Sequence, residues 1–182
     1  MVNRNRFYLS VSLLSCVCFS LAQSRPSSEA FCETVRTLVQ ASYSDFNGIK
    51  RNVTRHSDGA TDWVPSITIA GTSDCEGQSD PLMSSSISCT GATSQSLDEL
   101  EPTYQNAVKQ LRACLSSSFI YSETQGGKPT RLTTPIKEAS FEVKAKNDGP
   151  DGPAVRITLD QFHGKHVTEY EITIWIDAKG KE

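Results

Sequence analysis

The chain has 182 residues, 37% of them hydrophobic and 21% charged, with a net charge of −3 at neutral pH. That length holds one domain, or a domain with a tail, and the recurring apolar residues exclude a wholly disordered chain. The near-neutral balance argues against a dedicated nucleic-acid binder, and no repeat of solenoid length is visible.

Residues 1–6 carry Arg4 and Arg6 and no acid, and residues 7–21 are apolar or small. Ser20 and Ala22 then occupy the −3 and −1 positions of a signal-peptidase cut. This layout predicts a cleaved secretory signal over residues 1–22, followed by a short disordered leader at 23–27. The alternatives are a signal anchor and a lipid on Cys16. The apolar run is shorter than the roughly 20 residues that span a bilayer, and it continues past Cys16. Cleavage removes two arginines and no acid, so the net charge falls from −3 to −5. The expected protein is secreted or periplasmic, with no membrane contact after cleavage and no pull towards nucleic acid.

Ser28 can cap a helix running to about Phe46, with Phe31, Val35, Leu38, Ser42 and Phe46 at helical spacing. Asn47-Gly48 stops it. Residues 50–63 are polar and read as an exposed loop holding Lys50, Arg51, Arg55 and His56, a small basic cluster. Asn52-Val53-Thr54 is an N-glycosylation sequon, which has meaning only in a eukaryotic host. Residues 66–70 alternate and predict a strand. Residues 84–90 predict a second, and a short strand at Cys75 fits between them.

Ser96 and Glu99 have the spacing of a capping box. The helix behind them carries Leu97, Leu100, Tyr104, Val108, Leu111 and Leu115 on one stripe, with Pro102 near its start. Residues 123–135, with Gly126-Gly127 and two prolines, read as a loop. Ala139, Phe141, Val143 and Ala145 alternate with polar residues, so 137–146 is a half-buried strand; 147–153 is a turn. A final hairpin about Gly164-Lys165 sets Leu159 against Tyr170, Ile157 against Ile172 and Val155 against Ile174. The other side of that hairpin carries Arg156, Asp160, Glu169 and Trp175. Asp160 then opposes Glu169, an unfavourable pair that Lys144 or Lys146 on a neighbouring strand would relieve.

Cys16 and Cys18 leave with the signal, and Cys32, Cys75, Cys89 and Cys114 remain. Four cysteines in an exported chain point to two disulfides. No paired close spacing supports a zinc site or a redox pair. Cys75 and Cys89 flank a loop-like stretch, while Cys32 and Cys114 sit at ends of the two helices that meet if these pack antiparallel. The expected pairing is Cys75–Cys89 with Cys32–Cys114. The fold class is α+β: an antiparallel sheet with two helices packed on one face, in the order α-β-β-α-β-β-β. Residues 28–182 then form a single domain.

No reactive constellation stands out. His163 and His166 flank the last turn without an indicated third metal ligand, and His166-Val167-Thr168 lacks the second copy of a two-histidine phosphoesterase. Glu142-Val143-Lys144 lacks the upstream aspartate of a metal-dependent nuclease, and Asn147, Asp148 and Asp151 are first of all turn residues. No serine-hydrolase elbow, phosphate loop or dinucleotide fingerprint is present. No catalytic residue, metal or cofactor is therefore assigned. The expected function is non-catalytic binding of another protein or macromolecule, in the manner of an inhibitor, immunity or accessory protein. The candidate contacts are Trp175, Phe162, Arg51 and Arg55. Two alternatives remain: a small hydrolase using His163, His166, Asp160 and Glu169, and a carrier of a small apolar ligand between sheet and helices.

Overall fold

The computed structural model describes residues 28–81, 84–115, 117–130, 132–143, 152–164 and 168–178. The predicted signal and leader lie outside these residues, as do His166, Lys144, Lys146, Asn147, Asp148 and Asp151. Helix α1 (Ser28–Ser42) precedes strands β1 (Lys50–Arg55), β2 (Thr61–Pro65), β3 (Cys75–Ser79) and β4 (Ser86–Ser94). Helix α2 (Leu97–Cys114) precedes β5 (Phe119–Gln125), β6 (Thr133–Val143), β7 (Ala154–His163) and β8 (Thr168–Asp177). The strands form one antiparallel sheet in the order β1-β2-β3-β4-β8-β7-β6-β5. The fold is α+β with the expected alternation of helix and strand blocks, each block of strands holding four.

Cross-strand pairing builds the core in rows. One row runs Trp63, Gly77, Ile87, Ile176, Val155, Phe141 and Tyr121 across seven strands. The next runs Cys75, Cys89, Ile174, Ile157 and Ala139. Apart from Gly77, and with Tyr121 packed against its edge, these residues share one buried cluster with Phe31, Val35 and Leu38 of α1 and Leu100, Tyr104, Val108 and Leu111 of α2. Because side chains alternate along a strand, the residues between them face the other way. We call the clustered side inward and the other outward.

The two disulfides are Cys32–Cys114 and Cys75–Cys89. The first ties the start of α1 to the end of α2, and Arg36 Nε reinforces the joint by donating to the Cys114 carbonyl at 2.9 Å. The second joins residues directly opposite each other on β3 and β4. Each bridge restricts the unfolded chain.

Several local expectations are corrected. The 50–63 segment is a hairpin, β1–β2, rather than a loop. Its turn is made by Asp58-Gly59, where Gly59 takes a φ of 91° and the Asp58 carboxylate accepts from the Ala60 amide at 3.0 Å. Its outer strand is almost wholly exposed, so no apolar alternation marked it. Conversely, 66–70 alternates but is not a strand. It lies against α1, with Ala70 N donating to Thr34 Oγ1 at 3.2 Å and Ile69 1% exposed. Strand β5 is not among the predicted strands: it is an edge strand with mostly exposed residues, and it takes Glu123, Thr124 and Gln125 from the expected 123–135 loop, while β6 begins at Thr133.

Helix α1 ends at Ser42, and the chain leaves it through Asp45 and Phe46, both with positive φ. The capping box at Ser96 does not form. Ser94 Oγ instead donates to Glu99 Oε2 at 2.7 Å and accepts from the Ser96 amide at 3.0 Å. The β7–β8 register is shifted by two residues, with Leu159 opposite Ile172, Ile157 opposite Ile174 and Val155 opposite Ile176. The connection is correspondingly longer, because the pairing closes at His163 and Thr168. A shift of two keeps every side chain on its face, so the inward and outward assignments stand.

Candidate functional site

The outward side of β1–β4 and β8 forms a groove of about 480 Å³. Its lining comes from these strands alone: Asn52, Thr54, Asp62, Val64, Glu76, Gln78, Ser86, Ser88 and Trp175, over the backs of Trp63 and Gly77. The register explains the grouping. Thr54, Asp62, Gln78, Ser86 and Asp177 form one cross-strand row. Glu76, Ser88, Trp175 and Arg156 form the next. Opposed partners on one face lie within side-chain reach.

Trp175 is held from its β7 side. The Arg156 guanidinium lies 5.8 Å from the indole centroid, and Arg156 Nε donates to Asp177 Oδ2 at 3.1 Å. On the other side Trp175 opens onto the groove. Across it, His56 Nε2 sits 2.7 Å from Asp62 Oδ2 and orients that carboxylate. Asn52 lies in β1 with a φ of 48°, where the strand register is interrupted between Arg51 and Thr54. The interruption places Asn52 among the lining residues.

Beneath the groove, Trp63 is fixed as core. It is 2% exposed and packs 5.5 Å from Phe46, centroid to centroid. Its Nε1 donates to Ser79 Oγ at 3.0 Å. A Cβ on Gly77 would come within 2.3 Å of the indole, so the opposite position must be glycine. Lys50 Nζ lies 5.1 Å from the indole centroid and donates to Ser79 Oγ at 2.9 Å and to Asp45 Oδ2 at 3.4 Å. Burial pushes the Asp45 carboxyl up, but the Ser85 hydrogen bonds and the Lys50 charge outweigh it and hold Asp45 below its ordinary value.

The other predicted contacts are dispersed. Arg51 and Arg55 are exposed on edge strand β1, next to the groove. Phe162 is 36% exposed and six residues along β7 from Arg156, roughly 20 Å from the Trp175 row. It is not part of the groove.

The hydrolase cluster is not assembled among the described residues. Asp160 and Glu169 face outward, whereas strand alternation puts His163 on the opposite side, where its Nε2 lies 2.7 Å from Thr134 Oγ1. Asp160 opposes Glu171, not Glu169. Burial raises the Asp160 carboxyl, and the Glu138 charge adds to the rise. The Thr158 hydroxyl opposes it without forming a bond of full geometry. Among the described residues no group of three or more His, Cys, Asp or Glu is placed to hold a metal.

A second cavity, about 350 Å³, lies between α1, α2, β4 and β8. Phe31, Pro102, Ala107, Gly91, Ala92 and Ile172 line it, with Thr103, Asn106 and Gln110 at polar positions. Its small residues were not singled out by the sequence, because they come from segments far apart in the chain. In comparisons with protein-family models, curated proteins and solved structures, nothing matches this chain.

Proposed function

We propose that this is an exported, disulfide-stapled binding protein that works without catalysis and engages its target through the outward groove at Trp175. The observation that carries the reading is the placement of Trp175: an aromatic ring opening onto a 480 Å³ groove whose other lining side chains are mostly polar. A large ring with a polar surround is the usual make-up of a strong contact. The two disulfides support export, as does the signal-like layout of residues 1–22. No helix among the described residues is long and apolar enough to cross a membrane.

The test is retention of a target from the source's extracellular or periplasmic fraction by the oxidised, immobilised protein. Trp175→Ala is expected to abolish retention, while Phe162→Ala, outside the groove, leaves it intact. Equal retention by wild type and Trp175→Ala would refute the reading.

The cleft beside Phe31 favours a second reading, a carrier of a small apolar ligand, since 350 Å³ falls within the size of small-molecule sites. Solvent extraction of the purified protein would release such a ligand, and Ala107→Leu, which fills the cleft, would lower its yield. An extract with no stoichiometric apolar compound would rule the carrier out.

A further inference from the structure

The chemistry of the groove narrows its ligand. Asp62 and Glu76 offer acceptors only, Asn52 and Gln78 offer both donors and acceptors, and Ser88 offers a rotatable hydroxyl. Trp175 offers an apolar ring face. An apolar ligand would bury these polar groups without partners, which is costly. An anion would meet two carboxylates and no lysine or arginine in the lining. A cation would use the ring and the carboxylates but leave the amide N–H groups of Asn52 and Gln78 idle.

A neutral polyol with one apolar face uses the whole set. Its hydroxyls donate to Asp62 and Glu76 and accept from Asn52 and Gln78, while its C–H face lies on the indole. That description fits a pyranose ring. The parts are also held in place: Arg156, itself bonded to Asp177, braces the indole, and His56 orients Asp62. Such bracing lowers the entropy lost on binding.

We propose that the Trp175 groove is a subsite for a neutral saccharide, an inference that rests on the binding reading above. One sugar ring stacks on Trp175 and is hydrogen-bonded by Asp62, Glu76, Asn52 and Gln78. Flat, equatorially substituted sugars such as β-1,4-linked glucose or N-acetylglucosamine present the required apolar face.

The experiment is calorimetric titration of the oxidised protein with cellohexaose and with chitohexaose. The proposal expects saturable binding of at least one of them. It expects Trp175→Ala to weaken that binding by roughly tenfold or more, and Trp175→Phe, which keeps a ring, to weaken it by no more than about threefold. Gln78→Ala is expected to weaken it as well. Absence of binding to both probes, while Trp175→Ala still loses the retained target, overturns the saccharide class and leaves the binding reading standing. Spermidine binding in place of either sugar overturns the proposal in favour of a cation. Sugar binding unchanged by Trp175→Ala overturns the assignment of the site.

Discussion

Trp63 and Trp175 stand on opposite faces of one sheet, and they differ in what surrounds them. Trp63 lies over a glycine, beside Phe46 and Lys50, with its N–H bonded to Ser79. Trp175 is braced on one side by Arg156 and faces a groove on the other. The same residue type is thus core in one row and half-buried at the edge of a groove in the next. What decides between them is the strand parity of the position and the size of the residue opposite: Gly77 makes room for Trp63, whereas Ser88 and Arg156 flank Trp175. Substitutions on the inward side should therefore register in stability, and those in the groove in binding.

The largest effect is expected at Gly77. Gly77→Ala forces the Trp63 ring out of its seat and should cost about 1–3 kcal/mol in denaturant unfolding. A neutral result would mean that the indole does not lie over residue 77. Next comes Asp45, whose carboxyl is held below its ordinary value by Ser85 and Lys50, which outweigh the opposing effect of burial. A depressed value means stability that is present above the unfolded value of 3.8 and lost as pH falls through the folded one. The Asp45 side chain is 40% exposed, so solvent screens the pair, and Asp45→Asn should cost less than about 1 kcal/mol at neutral pH and progressively less in acid.

Asp160, on the outward face, should behave in the opposite sense. Burial and Glu138 raise its carboxyl, so its contribution is most favourable when protonated and declines as pH rises through the folded value. Asp160→Asn should stabilise the protein at neutral pH by up to about 1 kcal/mol, by removing a half-buried charge near Glu138. The gain should vanish near pH 3, where the aspartate is protonated. A thermal melt of Asp160→Asn at both pH values checks the sign, and destabilisation at neutral pH would contradict it.

The sequence made the inward face legible where burial imposed alternation. Val155, Ile157 and Leu159 opposite Ile176, Ile174 and Ile172 were readable to within a two-residue slip, because that slip leaves both faces unchanged. The disulfide pairing followed from the helix ends and the loop between Cys75 and Cys89. Strand parity alone also placed Trp175 outward.

The rest of the groove was hidden for a physical reason. Asn52, Asp62, Glu76 and Gln78 come from strands that are polar on the outward side, and β1 is an edge strand with almost nothing buried. β1 has no apolar face, and β2 and β3 bury only Trp63, Pro65, Cys75 and Gly77, too few to show a period. The available signal was Asp58-Gly59, a hairpin turn pair between Lys50–Arg55 and Thr61–Pro65. Residues 66–70 misled in the other direction, since Ile69 alternates yet plugs the core beside α1 without joining the sheet.

A modest stability effect is expected at Trp175. Its ring is half-buried and packs against Arg156, so Trp175→Ala should cost no more than about 1 kcal/mol. A larger loss would mark Trp175 as core.

The most direct test of the central claim uses both tryptophans at once. In ¹⁵N-labelled protein each indole N–H gives its own resonance, and Trp175→Phe identifies which is which. On addition of the retained target or the bound oligosaccharide, the Trp175 resonance is predicted to move. The Trp63 resonance, bonded to Ser79 in the core, should stay where it is. Movement of the Trp63 signal alone, or of neither while binding proceeds, would contradict the assignment of the outward groove as the binding surface.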